Sequence, residues 1–245
     1  MSTDLVVIGA IAFQVHFPDE ARHTGDIDFA VALELNEFPE LEKRLKADRW
    51  ARTANREHRW RSANGTLLDL IPAGDKLRKA KEVTWPDSQF TMSLVGFDHV
   101  FSRGEPVNFA DGLELKVIPP AVLMLLKVVA FMDDQNRRAK DLPDIRSLMA
   151  RYEADSERLF SDAVLDAKLQ DSGLANAFLL GLDLFSLCTD QEKQVVRRFL
   201  TALDEAKPAW MNFVRSGVGN RTEEAARVQL TAFKKGFEAE SEESR

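Results

Sequence analysis

Hydrophobic and polar residues alternate, or form short apolar runs, through the first half of the chain, a pattern that predicts strands. "DLVVIGA" is predicted as a short buried strand that ends at Gly9, and "AIAFQVH" (residues 10–16) as a helix that follows it. "DIDFAVAL" (26–33) is predicted as the second strand. "NEFPELEKRLKAD" (36–48) has apolar residues at helical spacing behind Asn36, which can cap the start of a helix.

A meander of short strands is predicted next, consisting of "RWARTA" (49–54), "HRWRSA" (58–63) and "GTLLDLIPA" (65–73). Asn64 and Gly65 predict a tight turn between the last two of these strands. In the loop-rich region that follows, "SLVGFDHVF" (93–101) is predicted as a strand, and "LELKVI" (113–118) as the last strand.

The pattern then changes to helical spacing, with "PPAVLMLLKVVAFMDD" (119–134), "KDLPDIRSLMARY" (140–152) and nearly all of the chain after Asp155 predicted as helices. We expect an α+β fold whose first domain, residues 1–151, has an α/β-type mixed sheet with helices packed on it. Residues 152–245 are predicted as a C-terminal helical domain, of which about the last ten residues are disordered.

Composition narrows the functional class. A net charge of −7 argues against a general nucleic-acid coat protein, and a single cysteine, Cys188, excludes an internal disulfide and a cysteine-based zinc cluster. The sequence has no visible secretory signal and no apolar run long enough to span a bilayer, so the predicted location is cytoplasmic, with no membrane partner.

Charge is distributed unevenly along the chain. Residues 43–81 contain twelve Lys or Arg against four acids, a local excess that an overall acidic chain does not predict. Two interpretations remain open: these side chains are solvated edges of strands and loops, or they form a rim that attracts a phosphate-rich ligand such as RNA.

Three aspartates are the candidates for chemistry. Asp26 and Asp28 are two residues apart in a predicted strand, so they project from the same face, where like charges repel unless a cation lies between them or one is protonated. Asp69, within "LLDLI", is costly to bury without a partner. If the two strands are neighbours, the three carboxylates can hold one or two Mg²⁺ ions. The alternative for Asp26 and Asp28 is a structural turn or cap.

Further residues are candidates for phosphate binding. The turn at Gly9 opens a helix, where exposed backbone N–H groups bind anions. Lys127 interrupts an apolar helix, so either a triphosphate or an aspartate keeps it charged, or its side chain extends to the solvent. Asp141 and Asp144 lie in the same site or cap the start of a helix.

The stretch "VVIGAIAFQVHFPDEARHTGDIDFAVAL" resembles the nucleotidyltransferase superfamily related to DNA polymerase β, and within it the AbiEii-type abortive-infection toxins. Members have a strand, a glycine turn, a helix with a histidine, and the motif R-x-T-x-D-I-D, matched here by Gly9, His16, Arg22, Thr24, Asp26 and Asp28. A later strand supplies a third carboxylate, at the position of Asp69. A lysine in an apolar helix and an "R…K-D-x-x-D" segment follow, matched by Lys127, Arg137, Arg138, Lys140, Asp141 and Asp144.

The resemblance covers roughly residues 5–150 and implies an Mg²⁺- or Mn²⁺-dependent transfer of a nucleoside monophosphate from a nucleoside triphosphate to an acceptor hydroxyl. It implies that Asp26, Asp28 and Asp69 are the catalytic metal ligands, and that the nucleotide is bound by Gly9, Ala10, Arg22, Thr24, Lys127 and Asp141. The acceptor would be an RNA or tRNA 3′ end at the basic 43–81 region, or a protein, and the role would be that of a toxin with an antitoxin partner.

Two other functions remain open at the level of sequence. Ala10 stands where the superfamily has a serine that helps to hold the triphosphate, which favours a non-catalytic relative that binds a nucleotide or a partner. A metal-dependent nuclease that uses Asp69 and Lys76 is the third possibility, and it leaves the Asp26–Asp28 pair unexplained.

Overall fold

A computed structural model of the protein describes residues 4–19, 24–54, 56–205, 207–215 and 222–242. The chain forms two compact units, Met1–Leu123 and Met124–Arg245. The domain boundary near Arg151 stays a prediction. Among the described residues, no helix is both long enough and apolar enough to cross a membrane.

The first unit is built on a mixed sheet. Its strands are β1 (Leu5–Ile8), β2 (Asp26–Val31), β3 (Ala51–Arg52), β4 (Arg59–Arg61), β5 (Leu67–Pro72), β8 (Glu105–Asn108) and β9 (Glu114–Val117). The seven strands lie in the order β3–β4–β5–β2–β1–β9–β8. The pairs β2–β5 and β1–β9 are parallel, and the other neighbours are antiparallel. Two further strands, β6 (Glu82–Thr84) and β7 (Thr91–Ser93), form a separate antiparallel ribbon.

The α-helices that begin in the described residues of this unit are α1 (Gly9–His16), α2 (Phe38–Ala47), α3 (Asp75–Ala80), α4 (Phe97–Arg103) and α5 (Pro120–Asp133), which continues into the second unit. The predicted strand over 93–101 is wrong, because only Ser93 belongs to a strand and α4 follows. Gly96 has φ +87°, which ends the extended run, and Phe97 and Val100 are then buried at helical spacing. Strand β8 was not predicted.

One hydrophobic core cluster lies on the face of β2 away from its aspartates. Val31 on β2 packs with Leu70 on β5, Trp60 on β4 and Phe38 at the start of α2. Phe29 packs against the same cluster. Because side chains alternate along a strand, burying these residues leaves the two aspartates of β2 on the opposite face of the sheet.

The second unit is helical in its described residues, as predicted. Its helices after α5 are α6 (Gln135–Arg138), α7 (Leu142–Arg151), α8 (Asp162–Asp166), α9 (Ala175–Leu187), α10 (Asp190–Glu205), α11 (Lys207–Arg215) and α12 (Glu223–Glu242). About the last ten residues are expected to be disordered. Residues 236–242 instead belong to α12, in which Phe237 is fully buried. Residues 243–245 lie outside the described part.

Two glycines allow α9 and α12 to approach closely. A Cβ added to Gly181 would lie 2.2 Å from the carbonyl oxygen of Phe233, and one added to Gly236 would lie 1.9 Å from that of Phe178. Both distances are far shorter than any contact that a real methyl group makes with backbone. The helix pair therefore depends on the absence of side chains at these two positions.

Candidate active site

A row of directly paired residues crosses four strands of the sheet. Ile8 on β1 lies opposite Asp28 on β2, Asp28 opposite Asp69 on β5, and Asp69 opposite Arg59 on β4. Residues directly opposite each other in a ladder share a face, so both carboxylates and the guanidinium project together. Asp26, two residues before Asp28, projects from the same face. The expected adjacency of the two aspartate-bearing strands is therefore confirmed.

The three aspartates are close enough to share a cation. One carboxylate oxygen from each of Asp26, Asp28 and Asp69 lies within 4.8 Å of the other two. Asp69 is buried, with 6% of its surface exposed, while Asp26 and Asp28 are half-buried. Oxygen donors with this charge and spacing fit a hard divalent ion such as Mg²⁺ or Mn²⁺.

Arg59 lies directly beside two of these carboxylates, and His58 Nε2 is 4.0 Å from Asp69 Oδ2. Arg59 Nε donates to Asp69 Oδ1 at 2.6 Å, and its Nη2 donates to Asp69 Oδ2 at 2.6 Å and to Asp26 Oδ2 at 2.5 Å. The hydrogen bonds to Asp69 are the main cause that raises the pKa of the Arg59 guanidinium above its ordinary value, and the charge of Asp26 adds to the effect. Arg59 is thus a fixed positive charge in the site.

No local pattern in the sequence distinguishes Arg59 from the other residues of the basic 43–81 region. A two-residue hairpin loop at Asn64–Gly65 would place Trp60 opposite Asp69. In the structure Ser62 and Thr66 pair instead, so that residues 63–65 form a three-residue loop in which Gly65 has φ +90°. This one-residue difference turns Arg59 toward Asp69 and Trp60 into the core.

The residues near Asp26 and Asp28 position these carboxylates. The Thr24 hydroxyl lies 3.0 Å from Asp26 Oδ1 and 2.9 Å from the Asp26 carbonyl oxygen, so it can donate to either of them. Gly9 has φ +67°, and a Cβ there would lie 2.3 Å from Asp28 Oδ2. Arg22, also predicted to bind the nucleotide, lies outside the described residues.

The start of α1 is the predicted phosphate-binding turn. Ile8 is at the N-cap position, and its hydrocarbon side chain makes no capping hydrogen bond to the first N–H groups of the helix. Ala10 is buried in the first turn and has no hydroxyl to add to those groups. At the other end of α1, His16 Nε2 lies 2.8 Å from the carbonyl oxygen of Ile118, a contact that holds the helix to the residue after β9.

Lys127 is buried and paired, so its side chain does not extend to the solvent. Its Nζ lies 2.5 Å from Asp144 Oδ2 and 3.3 Å from Asp141 Oδ1. Arg138 Nη1 lies 3.5 Å from the second oxygen of Asp141. Asp141 is at the N-cap position of α7, but its side chain makes no capping hydrogen bond. The cluster is therefore an ion-pair network of the second unit rather than a helix cap.

Ion pairs neutralise part of the basic 43–81 region. Acidic side chains pair with Lys43, Lys46, Arg52, Arg59, Arg78 and Lys81. The acids include Glu40, Glu42, Asp87 and Asp98, all of which lie outside the region in sequence. The local charge excess counted along the sequence is therefore an upper limit to the charge that the folded surface presents.

Comparison with solved structures finds proteins of low sequence identity to this chain. The antibiotic-resistance factor ANT(2'')-Ia has 13% identity and a TM-score of 0.33, with 82% of this chain and 86% of that chain covered. An antigenic nucleotidyltransferase-like protein from Paracoccidioides brasiliensis has 14% identity and a TM-score of 0.38, with 88% and 86% covered. A nucleotidyltransferase from H. pylori has 11% identity and a TM-score of 0.40, with 98% and 89% covered.

No curated protein matches the chain. The family model described as "Nucleotidyl transferase AbiEii toxin, Type IV TA system" matches residues 2–238, which is nearly the whole chain. This match confirms the resemblance inferred from the glycine turn and the aspartate motif. The protein is a nucleotidyltransferase that belongs to the AbiEii toxin family of type IV toxin–antitoxin systems.

Proposed function

We propose that the protein transfers a nucleoside monophosphate from a nucleoside triphosphate to an acceptor hydroxyl, with a divalent metal held by Asp26, Asp28 and Asp69. The observation that carries this proposal is the convergence of three carboxylate oxygens within 4.8 Å of one another. Mg²⁺ and Mn²⁺ prefer such oxygen ligands and keep other coordination positions for water and phosphate oxygens. These are the donors that the reaction brings.

The bound metal would neutralise charge on the reacting phosphate and lower the pKa of the acceptor hydroxyl. Asp26 and Asp28 hold the side of the site formed by β2, and Thr24 orients Asp26 through its hydroxyl. Asp69 is proposed as the third ligand and as the group that accepts the proton of the acceptor hydroxyl. The acceptor oxygen bonds to the α-phosphorus as the bond from that phosphorus to the bridging oxygen breaks and pyrophosphate leaves. Positioning and charge neutralisation by the protein are proposed to account for most of the rate.

The triphosphate is proposed to bind at the turn between β1 and α1. Gly9 lets the backbone approach closely, and the N–H groups of the first helical turn, including that of Ala10, face the phosphates. Without a serine hydroxyl at position 10, the backbone supplies these contacts. Arg22, Lys127 and Asp141 are proposed nucleotide-binding residues because they match positions of the family motif.

The acceptor is proposed to be an RNA 3′ end, such as that of a tRNA, at the basic 43–81 region. The support is the set of basic side chains in this region for which no ion pair is described, namely Arg44, Arg49, Arg56, Arg61, Lys76 and Lys79. These substrates place the reaction in the cytoplasm. The family implies that an antitoxin protein counteracts the activity.

The transfer is tested with each α-labelled nucleoside triphosphate, Mg²⁺, and separate tRNA, total RNA and protein fractions. We expect label at an RNA 3′ end with the wild-type protein and with Asp4→Asn, which removes an exposed carboxylate outside the site. Asp28→Asn should lower transfer by about 10²-fold or more. Label on the protein fraction alone would show that the acceptor is a protein and not RNA. Shortened RNA would indicate a nuclease, and nucleotide that is bound but not transferred would overturn the proposal.

The toxin role is tested by inducing the gene in bacterial cells. We expect growth arrest with the wild-type protein and normal growth with Asp28→Asn at equal protein level. Arrest by both variants would separate toxicity from the carboxylate site and overturn this part of the proposal.

A further inference from the structure

Arg59 supplies a positive charge of the protein itself directly beside the carboxylates. Arg59 Nη2 lies 2.5 Å from Asp26 Oδ2 and 2.6 Å from Asp69 Oδ2, so one nitrogen bridges two of the three carboxylates that would ligate a metal. Arg59 Nε occupies the other oxygen of Asp69, at 2.6 Å. Both oxygens of Asp69 therefore accept hydrogen bonds from Arg59.

These contacts compete with metal coordination by the same oxygens. Mg²⁺ binds oxygens at roughly 2.0–2.1 Å in near-octahedral geometry, which requires lone pairs that point at the ion. Each oxygen of Asp69 already uses one lone pair to accept a hydrogen bond from the guanidinium, which leaves fewer lone pairs for a metal ion. A guanidinium and a divalent ion held at the Asp69 carboxylate would also repel each other, and solvent screens this repulsion weakly because Asp69 is buried.

We propose that Arg59 is a resident counter-ion that competes with the divalent metal for Asp26 and Asp69, so that the metal binds only when the guanidinium leaves these carboxylates. This inference rests on the metal site of the proposed function. Arg59 is a positioning residue here: without the metal, it holds together carboxylates that would otherwise repel.

The position of Arg59 suits such an exchange. It lies on β4, a strand of three residues, and 17% of its side chain is exposed, against 8% for Asp69. The guanidinium fork fits phosphate oxygens as well as carboxylate oxygens. The polyphosphate of an arriving metal–nucleotide complex thus offers Arg59 new acceptors at the moment that the metal takes the carboxylates. Free metal is expected to bind weakly, and metal with nucleotide tightly.

The test measures Mn²⁺ binding to the nucleotide-free protein by electron paramagnetic resonance. We expect Arg59→Gln to bind Mn²⁺ at least about tenfold more tightly than the wild type, because one competing charge is removed. The control is Arg103→Gln, which removes an exposed arginine at the end of α4, outside the basic 43–81 region, and should leave the affinity unchanged. Adding Asp69→Asn to Arg59→Gln should abolish the gain, which locates it at the carboxylates.

A second measurement covers the case in which Arg59→Gln unfolds without metal. Mn²⁺ should raise the melting temperature of Arg59→Gln more than that of the wild type, since a ligand stabilises in proportion to its affinity. Arg59→Lys, which keeps one charge but loses the fork, should bind Mn²⁺ with intermediate affinity. Equal or weaker Mn²⁺ binding by both Arg59 variants overturns the inference, as does a gain that survives Asp69→Asn.

The two proposals fail in distinguishable ways. Nucleotide transfer together with equal Mn²⁺ affinity in wild type and Arg59→Gln overturns the role of Arg59 alone. A tenfold gain in affinity without any transfer overturns the proposed reaction and leaves the competition between Arg59 and the metal in place.

Discussion

Gly9 and Asp28 are in such close contact that no side chain fits at position 9. A Cβ there would lie 2.3 Å from Asp28 Oδ2 and 2.9 Å from its Cγ. The antiparallel pairing of β1 and β2 creates this contact, because it sets Ile8 opposite Asp28 and turns the next residue against the carboxylate. The glycine turn therefore positions a carboxylate, in addition to the phosphate binding proposed for it.

Replacing Gly9 by alanine should lower both stability and activity. The new methyl group would displace the Asp28 carboxylate at a position that also requires φ +67°, and the expected cost is about 2–4 kcal/mol of unfolding free energy. Urea unfolding measures it. Gly112→Ala is the matched control, because Gly112 has φ +75° but no atom within 4 Å of its Cβ position, and it should cost about 1 kcal/mol. Equal costs for the two variants would contradict the clash.

Removing Asp69 should destabilise the metal-free protein, because Arg59 would lose both of its hydrogen bonds to that side chain. Asp69→Ala is expected to cost about 2–3 kcal/mol, less than for a fully buried pair since Arg59 is partly exposed. Asp26→Ala should cost less, because 30% of the Asp26 side chain is exposed. Asp4→Ala, which breaks the exposed pair with Lys116, should cost under ~1 kcal/mol. The unfolding curves are measured on protein treated with a chelator. An Asp69→Ala variant with unchanged unfolding free energy would contradict the pairing of Asp69 with Arg59.

Lys127 should be required for the stability of the second unit. Lys127→Met leaves Asp141 and Asp144 buried without their shared cation, and the expected cost is about 3 kcal/mol in denaturant unfolding. The double variant Lys127→Met with Asp144→Asn removes one of the stranded charges and should regain part of this loss. If the double variant is less stable than Lys127→Met alone, the pairing is not the cause of the loss.

An alanine at Gly236 should disrupt the packing of α9 against α12. Its methyl group would lie 1.9 Å from the carbonyl oxygen of Phe178, so the helices must separate, and we expect a loss of about 2–4 kcal/mol in the unfolding free energy. Gly173→Ala is the control, since its nearest neighbour is a side-chain oxygen of Asp171 at 3.2 Å, and it should change stability by less than about 0.5 kcal/mol. Thermal or urea unfolding distinguishes the two variants.

Cys188 should be unreactive in the native protein. Burial raises the pKa of its thiol to about 12, with a contribution from the charge of Glu192. At pH 8 the thiolate fraction falls by about a thousandfold relative to the ordinary pKa of 9.0, since each pKa unit is a factor of ten. Reaction with a disulfide reagent should be slow in buffer and fast in urea, and a fast native reaction would contradict this burial.

The carboxylates of the site could be found from sequence because their signals are local. A spacing of two in a strand places Asp26 and Asp28 on one face, whatever the rest of the fold does. Asp69, among aliphatic neighbours, requires a partner on energetic grounds alone. The same local character explains why the glycine turn, the mixed sheet and the helical second half were predicted correctly.

The amino-acid sequence by itself thus determined which side chains carry the negative charge of the candidate site and which face of each strand they occupy. The tertiary structure decided which charged residues form pairs. The register of β4 against β5 brings Arg59, and not Trp60, opposite Asp69. The tertiary structure also paired Lys127 with two aspartates and made a helix of 97–103. A period of two specifies a face but not a register, because register depends on loop length and on the packing of residues far apart in sequence.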